Sequence, residues 1–388
     1  MPRRLKTIIV LAVCSLLLGC AGPLSMRPDP GLPSARELLS GVALFDEAVS
    51  PDELPDRDLL GLDQPMRNFV SQAITGPKDS DSQVVRRLLR AMIRSGLLGL
   101  EYHEDLTLTA QEVFHSGGGN CLAFTNLFVA MAREAGLRVS YQQVDVPPAW
   151  SADENLLILN QHVNVLVHDT RRLGPTLDEL VVDFNTPWYR GNYPQWPVSD
   201  GFAEALFYNN LAVDALRESD TRRALVFFGK ALRADPDVPA LWTNLGVLYQ
   251  RNELPDHAES AFRIALAKDA NHKSAISNLA KLYEQRGLHE LAAEYRERVR
   301  RHQEGNPYFH FFKAEQAALA GDFDAALALV DRAIRLRKDE HKFHFLRAEI
   351  LARTGREEAS RASLELARDY ATVATTQALY ERKLREQH

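Results

Sequence analysis

Apolar and small residues recur every 34 positions through the C-terminal half of the chain. Five successive frames keep this register and start at Ala205, Pro239, Lys273, Pro307 and His341. The eighth and twentieth residues of every frame are small, as is the twenty-seventh in four of the five frames. Small residues at these spacings allow two antiparallel helices to cross closely. The pattern predicts an all-α solenoid over residues 205–374, closed by a polar helix over residues 375–388.

The preceding residues mix helical and strand periodicities. Capping boxes at Ser34 and Thr109 each predict the start of a helix, and residues 82–93 have apolar positions at helical spacing. Residues 160–168 alternate between apolar and polar side chains, which predicts a strand, and a second short strand follows at residues 181–184. We therefore expect an α+β domain over residues 34–200.

The overall composition is that of an ordinary soluble globular protein, with 45% hydrophobic and 25% charged residues. A net charge of -6 offers no basic field to a phosphate backbone, which argues against nucleic acid as a partner. The sequence contains neither a phosphate-binding glycine loop nor clustered ligands at zinc spacing. We expect no cofactor and no metal.

The N-terminus has the layout of a secretory signal peptide, with a basic start, an apolar run over residues 8–18, and then Gly19 and Cys20. The apolar run is shorter than the roughly 20 residues that a membrane-spanning helix needs. The stretch Leu17-Leu18-Gly19-Cys20 resembles the bacterial lipobox. This resemblance implies that residues 1–19 are removed, that Cys20 is lipidated, and that proline-rich residues 20–33 form a tether. A plain signal peptide or an uncleaved anchor is the alternative.

A lipid anchor would attach the protein to a membrane of the bacterial envelope. In Gram-negative bacteria the residue after the lipidated cysteine influences sorting between the two membranes. An Asp at that position resembles an inner-membrane retention signal, whereas this chain has Ala21 there. We expect the outer membrane, on the periplasmic side.

Cys121 follows a glycine run and Asn120, a good N-cap residue, so it is expected at the start of a helix. Unpaired N–H groups and the dipole at that position stabilise a thiolate, which is the nucleophilic form of cysteine. His162 and Asp183 follow on the two predicted strands, and a thiol nucleophile needs an oriented base of this kind. Three other histidines remain rivals for the base: His103, His115 and His168.

Residues 80–200 resemble the transglutaminase-like superfamily, which has a papain-like active-site plan. The matching segments are Gly119-Asn120-Cys121, Gln161-His162-Val163-Asn164-Val165 and Val182-Asp183-Phe184-Asn185. The resemblance implies that Cys121 is the nucleophile, that His162 is the general base and acid, and that Asp183 holds the imidazole tautomer. Asn164 departs from the family, since many relatives have an aromatic residue at that position.

The 34-residue frames resemble the tetratricopeptide repeat (TPR), and the frame from Pro239 matches best. The matching residues are Trp242, Leu245, Gly246, Tyr249, Ala258, Phe262 and Ala265. The resemblance implies a concave groove that binds an extended peptide or protein partner. Asn210, Asn244 and Asn278 share the sixth frame position and are candidates to hold a peptide backbone; solvated surface or a local hydrogen bond is the alternative. For His310 and His344 we favour core packing over a metal site.

Two hypotheses follow. The first is a lipid-anchored thiol amidohydrolase or peptidase, with water favoured over an amine as the acyl acceptor; an amine acceptor would give crosslinking. The second is a non-catalytic adaptor or scaffold for envelope assembly, which binds a peptide without turnover.

Overall fold

The computed structural model describes residues 31–76, 80–97, 103, 106–144, 162–168, 180–184, 194–371 and 374–386. The predicted signal peptide, Cys20 and most of the tether lie outside these residues. In the part of the chain that is described, no helix is both long and apolar enough to cross a membrane.

Among the described residues, six helices and a four-stranded sheet precede the solenoid. The helices are α1 (Ala35–Ser40), α2 (Val42–Phe45), α3 (Gln64–Ala73), α4 (Asp81–Arg94), α5 (Ala110–Ser116) and α6 (Cys121–Glu134), with a 3-10 turn at Pro51–Glu53. The strands are β1 (Val139–Val144), β2 (His162–Val167), β3 (Leu180–Val182) and β4 (Gln195–Val198). Both predicted capping boxes are present: Ser34 pairs with Glu37 and Thr109 with Glu112.

The sheet is antiparallel, with the strand order β3-β2-β1-β4. Tyr141 of β1 lies opposite Val165 of β2, and Val165 lies opposite Val182 of β3. The alternating pattern of β2 predicts one buried face, whereas all six residues of the strand are buried. The difference arises because β2 is an inner strand, paired along both edges, and its polar face is covered as well as its valine face.

In the described part of the C-terminal half, ten helices form the solenoid and an eleventh closes it. They are α7 (Asp200–Arg217), α8 (Thr221–Ala234), α9 (Pro239–Arg251), α10 (Pro255–Lys268), α11 (Lys273–Gln285), α12 (His289–Glu304), α13 (Pro307–Leu319), α14 (Phe323–Leu336), α15 (His341–Arg353), α16 (Glu357–Tyr370) and α17 (Ala374–Glu386). Gly246 shows why the eighth frame position must be small. A Cβ atom there would overlap the ring of Phe262 on the second helix of the pair.

One hydrophobic core runs from Leu38 through the sheet and the first three helix pairs to Tyr295. It ends in the third frame, where α12 buries only Ala292 and Tyr295. The sequence predicts looser packing in this frame, because Tyr295 stands one residue early and Val299 replaces a small residue. Separate clusters of buried side chains hold the last two pairs together.

Residues 33–57, the N-terminal strap, pack along the solenoid although they precede the sheet in sequence. Ser260 Oγ donates to the carbonyl of Pro33 at 2.5 Å, and Arg222 holds Glu53 through two hydrogen bonds of 2.9 and 3.0 Å. Leu38 is fully buried in the shared core. The strap therefore belongs to the packing of the first two repeats.

Replacing Leu38 by Ala should lower the free energy of unfolding of the first repeats by about 2–5 kcal/mol, because it leaves a cavity in the shared core. Val42 provides the control, since it lies four residues away and is 50% exposed. Val42→Ala should change stability by less than about 0.5 kcal/mol. Urea denaturation followed by circular dichroism measures both values. Equal effects of the two substitutions would show that the strap does not contribute to the core.

Candidate active site

The start of α6 places Cys121 at the first helical position. Asn120 caps the helix, because its Oδ1 accepts a hydrogen bond from the backbone N–H of Ala123 at 2.9 Å. Its Nδ2 donates to Thr107 Oγ1 at 2.7 Å, and Asn120 itself is buried. Thr125 Oγ1 donates to the carbonyl of Cys121 at 2.8 Å. The backbone at Cys121 is therefore held by the Asn120 cap before it and by the Thr125 hydroxyl one turn after it.

His162 begins β2 and lies between the other two candidate residues. Its Nε2 donates to Asp183 Oδ2 at 2.7 Å, and its ring also interacts electrostatically with Cys121. Only 3% of the His162 side chain is exposed, compared with 25% for Asp183. The structure thus brings Cys121, His162 and Asp183 together in the order that a thiol, a base and an orienting carboxylate require.

Burial of the ring opposes protonation of His162 and is the largest single influence on its pKa. Hydrogen bonds and charges from Asp183 and Cys121 act in the opposite direction and together outweigh burial. They raise the pKa of His162 to about 9. The ring is therefore an imidazolium at neutral pH, and a positive ring beside a sulfur atom favours the thiolate.

Asp183 lies one residue beyond β3 and is held in place by its neighbours. The ring of the following residue, Phe184, packs against Phe128 and Phe124 of α6, with ring centroids 5.7 and 6.4 Å away. Asn164 Nδ2 makes long hydrogen bonds to Asp183 Oδ2 at 3.4 Å and to Gln195 Oε1 at 3.3 Å. The helix that carries Cys121 therefore also fixes the position of the carboxylate.

Sequence reasoning did not assign roles to Thr107, Phe184 or Gln195, and it treated Asn164 only as a departure from the family. One signal was available, because Asn164 stands two residues after His162 and so shares its face of the strand. The cross-strand neighbour of Asn164 is Gln142, which is also buried. The polar face of the sheet is thus continuous around the candidate site.

The rival histidines have other contacts. His115 Nε2 lies 2.6 Å from Asp63 Oδ2 on the exposed surface, and His168 Nε2 lies 2.7 Å from Ser140 Oγ. The backbone N–H of His103 donates to the carbonyl of Gly119 at 3.3 Å, next to the loop before Cys121. His162 is the histidine that contacts both the thiol and the carboxylate.

The three solenoid asparagines are half-buried on α7, α9 and α11. Asn244 Nδ2 donates to Asn209 Oδ1 of the preceding pair at 2.8 Å. Asn244 therefore forms a hydrogen bond between two repeats, which matches the alternative of a local hydrogen bond.

Two histidines in the last frames make equivalent backbone contacts. Nε2 of His310 lies 3.0 Å from the carbonyl of Glu304, and Nε2 of His344 lies 2.7 Å from that of Lys338. Within the described ranges, no three His, Cys, Asp or Glu side chains are grouped so that they could hold a metal ion.

Models of two known families match the two regions of the chain. A model of the transglutaminase-like superfamily matches residues 68–150, which include Cys121. A tetratricopeptide repeat model matches residues 209–271, 244–307 and 313–373.

The chain carries a transglutaminase-like domain followed by tetratricopeptide repeats. The predicted fold class, an α+β transglutaminase-like domain followed by an all-α TPR solenoid, is confirmed. The TPR region is of a kind that binds proteins or peptides.

Several solved TPR structures are similar to the solenoid. YrrB, described as a TPR protein with an unusual peptide-binding site, is 22% identical over 46% of this chain and 92% of its own, with a TM-score of 0.25. Pseudomonas aeruginosa PilF is 17% identical over 49% and 94%, with a TM-score of 0.26. The Thermus thermophilus TPR protein TTC0263 is 20% identical over 46% and 98%, with a TM-score of 0.25. No functionally curated protein matches the chain.

Replacing Asp183 by Asn in the transglutaminase-like domain should lower the pKa of His162 well below its value of about 9. The substitution removes the negative charge that stabilises the imidazolium, while burial continues to oppose protonation. The ring should then lose its proton at a lower pH than in the wild-type protein. Histidine-selective NMR titration measures the change. The signal of His115 is the internal control, and an unchanged titration of His162 would contradict the role of Asp183.

Proposed function

We propose that the transglutaminase-like domain is a thiol-dependent amidohydrolase or peptidase, and that the solenoid presents a protein or peptide to it. One observation carries the proposal: the buried imidazolium of His162 interacts electrostatically with Cys121 at a helix start and hydrogen-bonds with Asp183. A half-buried thiol with such a base is suited to attack on an amide carbonyl.

In the first step, Cys121 Sγ forms a bond with the carbonyl carbon of an amide. In this proposal the backbone N–H of Cys121 donates to the oxygen that becomes negative. The C–N bond then breaks, and His162 gives its proton to the nitrogen of the leaving amine. A thioester on Cys121, a free amine and a neutral His162 result.

In the second step, His162 takes a proton from water, and the resulting hydroxide attacks the thioester carbon. The C–S bond breaks, a carboxylic acid leaves, and the thiolate and imidazolium are restored. Asp183 keeps the same ring nitrogen engaged in both steps, so the other nitrogen remains directed at the reacting atoms. Hydrolysis requires only water as the acceptor, and so demands less of the site than transfer to a second amine.

The solenoid supplies binding in this proposal. Its first helices carry half-buried polar groups at one frame position, of which Asn210 and Asn278 are candidates to hydrogen-bond a peptide backbone. The description of YrrB as a TPR protein with a peptide-binding site is consistent with this use.

Alkylation of Cys121 by iodoacetamide tests the thiol chemistry without a known substrate. The intact chain is labelled across pH 5–9, and the reaction is followed by mass spectrometry of the peptide that contains Cys121. In the wild-type protein, labelling should stay fast well below the pKa of about 8.5 of a free thiol. His162→Ala should slow it about tenfold or more near pH 6, because the paired cation is lost.

His168→Ala is the matched control, since His168 follows the same strand but contacts Ser140. It should leave the labelling profile of Cys121 unchanged. Ordinary thiol behaviour in the wild-type protein, with no effect of His162→Ala, would overturn the enzymatic proposal. Peptide binding that survives Cys121→Ala but is lost in Asn210→Ala or Asn278→Ala would then favour the adaptor.

We further propose that the protein is an envelope lipoprotein anchored through Cys20, with the solenoid in the periplasm. The support is the sequence order of basic residues, apolar run, glycine and cysteine. Expression in a Gram-negative host with a radiolabelled fatty acid should label the wild-type chain and Cys14→Ser, but not Cys20→Ser. Label that persists in Cys20→Ser would contradict the anchor, and fractionation of the two membranes tests the outer-membrane location.

A further inference from the structure

Asn164 lies directly opposite the candidate carboxylate in the sheet. The antiparallel register that pairs Val165 with Val182 places Asn164 across from Asp183, one residue beyond β3. Residues opposite each other on neighbouring strands have Cβ atoms about 5 Å apart, so short side chains there can meet. His162 lies two residues before Asn164 and therefore on the same face of β2. Asn164 is thus adjacent to both members of the ion pair.

Two donors share one oxygen of Asp183. Its Oδ2 accepts a hydrogen bond from His162 Nε2 at 2.7 Å and a longer one from Asn164 Nδ2 at 3.4 Å. The Asp183 side chain is 25% exposed, so water competes for the carboxylate. A carboxylate that follows a strand of only three residues can turn towards water unless a further group holds it. Asn164 provides that contact from the middle of the sheet.

The amide of Asn164 is itself oriented by β4. Its Nδ2 also donates to Gln195 Oε1 at 3.3 Å, and in the strand order β3-β2-β1-β4 this contact reaches across β1. Both acceptors of the amide nitrogen are oxygen atoms. The reversed amide would place its own oxygen against these two, and they would repel it. Electrostatics therefore select the orientation in which Asn164 donates.

This orientation leaves the carbonyl oxygen of Asn164 buried and unsatisfied. Among the described residues, Oδ1 has no hydrogen-bond partner, although only 3% of Asn164 is exposed. A buried unpaired carbonyl destabilises a fold, and an apolar side chain of similar size would avoid that cost. Packing therefore does not explain an amide at this position, whereas the contact of its nitrogen with Asp183 does.

We propose that Asn164 is a positioning residue, which holds Asp183 Oδ2 against the ring of His162 and is itself oriented by Gln195. It acts through the carboxylate and does not contact the reacting atoms. The use of this contact in catalysis rests on the proposed function, whereas the positioning itself can be measured on the protein without a substrate.

Asn164→Leu in the full chain removes the amide and leaves no cavity. The midpoint of the His162 titration, measured by histidine-selective NMR, should fall by about one pH unit or more, because the carboxylate no longer stays beside the ring. Labelling of Cys121 by iodoacetamide near pH 6 should slow several-fold. The free energy of unfolding should not decrease, because the unpaired oxygen is removed and both Asp183 and Gln195 can contact water.

The direction of the change separates positioning from simple competition. If Asn164 only competed with His162 for the shared oxygen, its removal would strengthen the remaining hydrogen bond and raise the midpoint. A raised or unchanged midpoint in Asn164→Leu would therefore overturn the proposal. Failure of the proposed function gives a different result, which is ordinary thiol behaviour of Cys121 in the wild-type protein.

Gln142→Leu is the matched control for the loss of a buried amide. Gln142 lies opposite Asn164 on β1, is 4% exposed and also has a buried unpaired oxygen. In the part of the chain that is described, its side chain makes no hydrogen bond to Asp183. Gln142→Leu should leave the His162 titration unchanged. An equal fall in both variants would show a general effect of lost polarity and would overturn the proposal.

Gln195→Leu tests the orienting contact at an exposed residue, so it does not depend on how well the core accepts a new side chain. It should lower the His162 midpoint by less than Asn164→Leu does. The double variant should match Asn164→Leu alone, because Gln195 acts through Asn164. Additive effects of the two substitutions would overturn the orienting role of Gln195.

Discussion

The packing of helix α6 is the constraint on which the rest of the structure depends. Every residue from Leu122 to Ala132 is buried, so the helix has no freedom to shift or rotate. Asn120 fixes its start and Thr107 in turn fixes Asn120. Because Cys121 is the first residue of this helix, the position of the sulfur is determined by core packing rather than by a surface loop.

The same helix organises the charged partners of the thiol. Phe184 packs on α6 and so holds the neighbouring Asp183, while β2, which carries His162, lies against the helix through Val163. The imidazolium is sustained in a largely buried position only because a carboxylate and a sulfur atom contact it from two sides. Removal of either contact lowers the pKa of the ring, because burial continues to oppose its protonation. The protonation state of His162 thus depends on how closely α6, β2 and the end of β3 approach one another.

Local signals in the sequence predicted the helices and strands. Contacts between residues that lie far apart in the sequence were not predictable from it. Capping boxes, the glycine run before Asn120 and the small residues of the 34-residue frames act within a few residues or within one repeat, so each is readable from a short window. The order of Cys121, His162 and Asp183 suggested their association, although only the antiparallel pairing of β2 with β3 explains it. The contact of Asn164 with Asp183 depends on strand register, which no spacing reveals. The packing of the strap on α8 and α10 joins residues that are 169 and 227 positions apart, and no local pattern could indicate it.

The connection between the two regions has a mechanical consequence. Near the end of α6, Arg133 makes hydrogen bonds of 2.6 and 2.8 Å to the two carboxylate oxygens of Asp200, which opens the first solenoid helix. This contact raises the pKa of Arg133 and lowers that of Asp200, so both groups are charged at neutral pH. The shared core and the strap add further contacts between the sheet domain and the first repeats. A flexible linker would let a bound partner sample many orientations, whereas these contacts fix the first repeats relative to α6. Under the proposed function, a peptide held along α7 and α9 would therefore be presented to the domain that carries Cys121 in a fixed orientation, so the solenoid would contribute to positioning as well as to affinity.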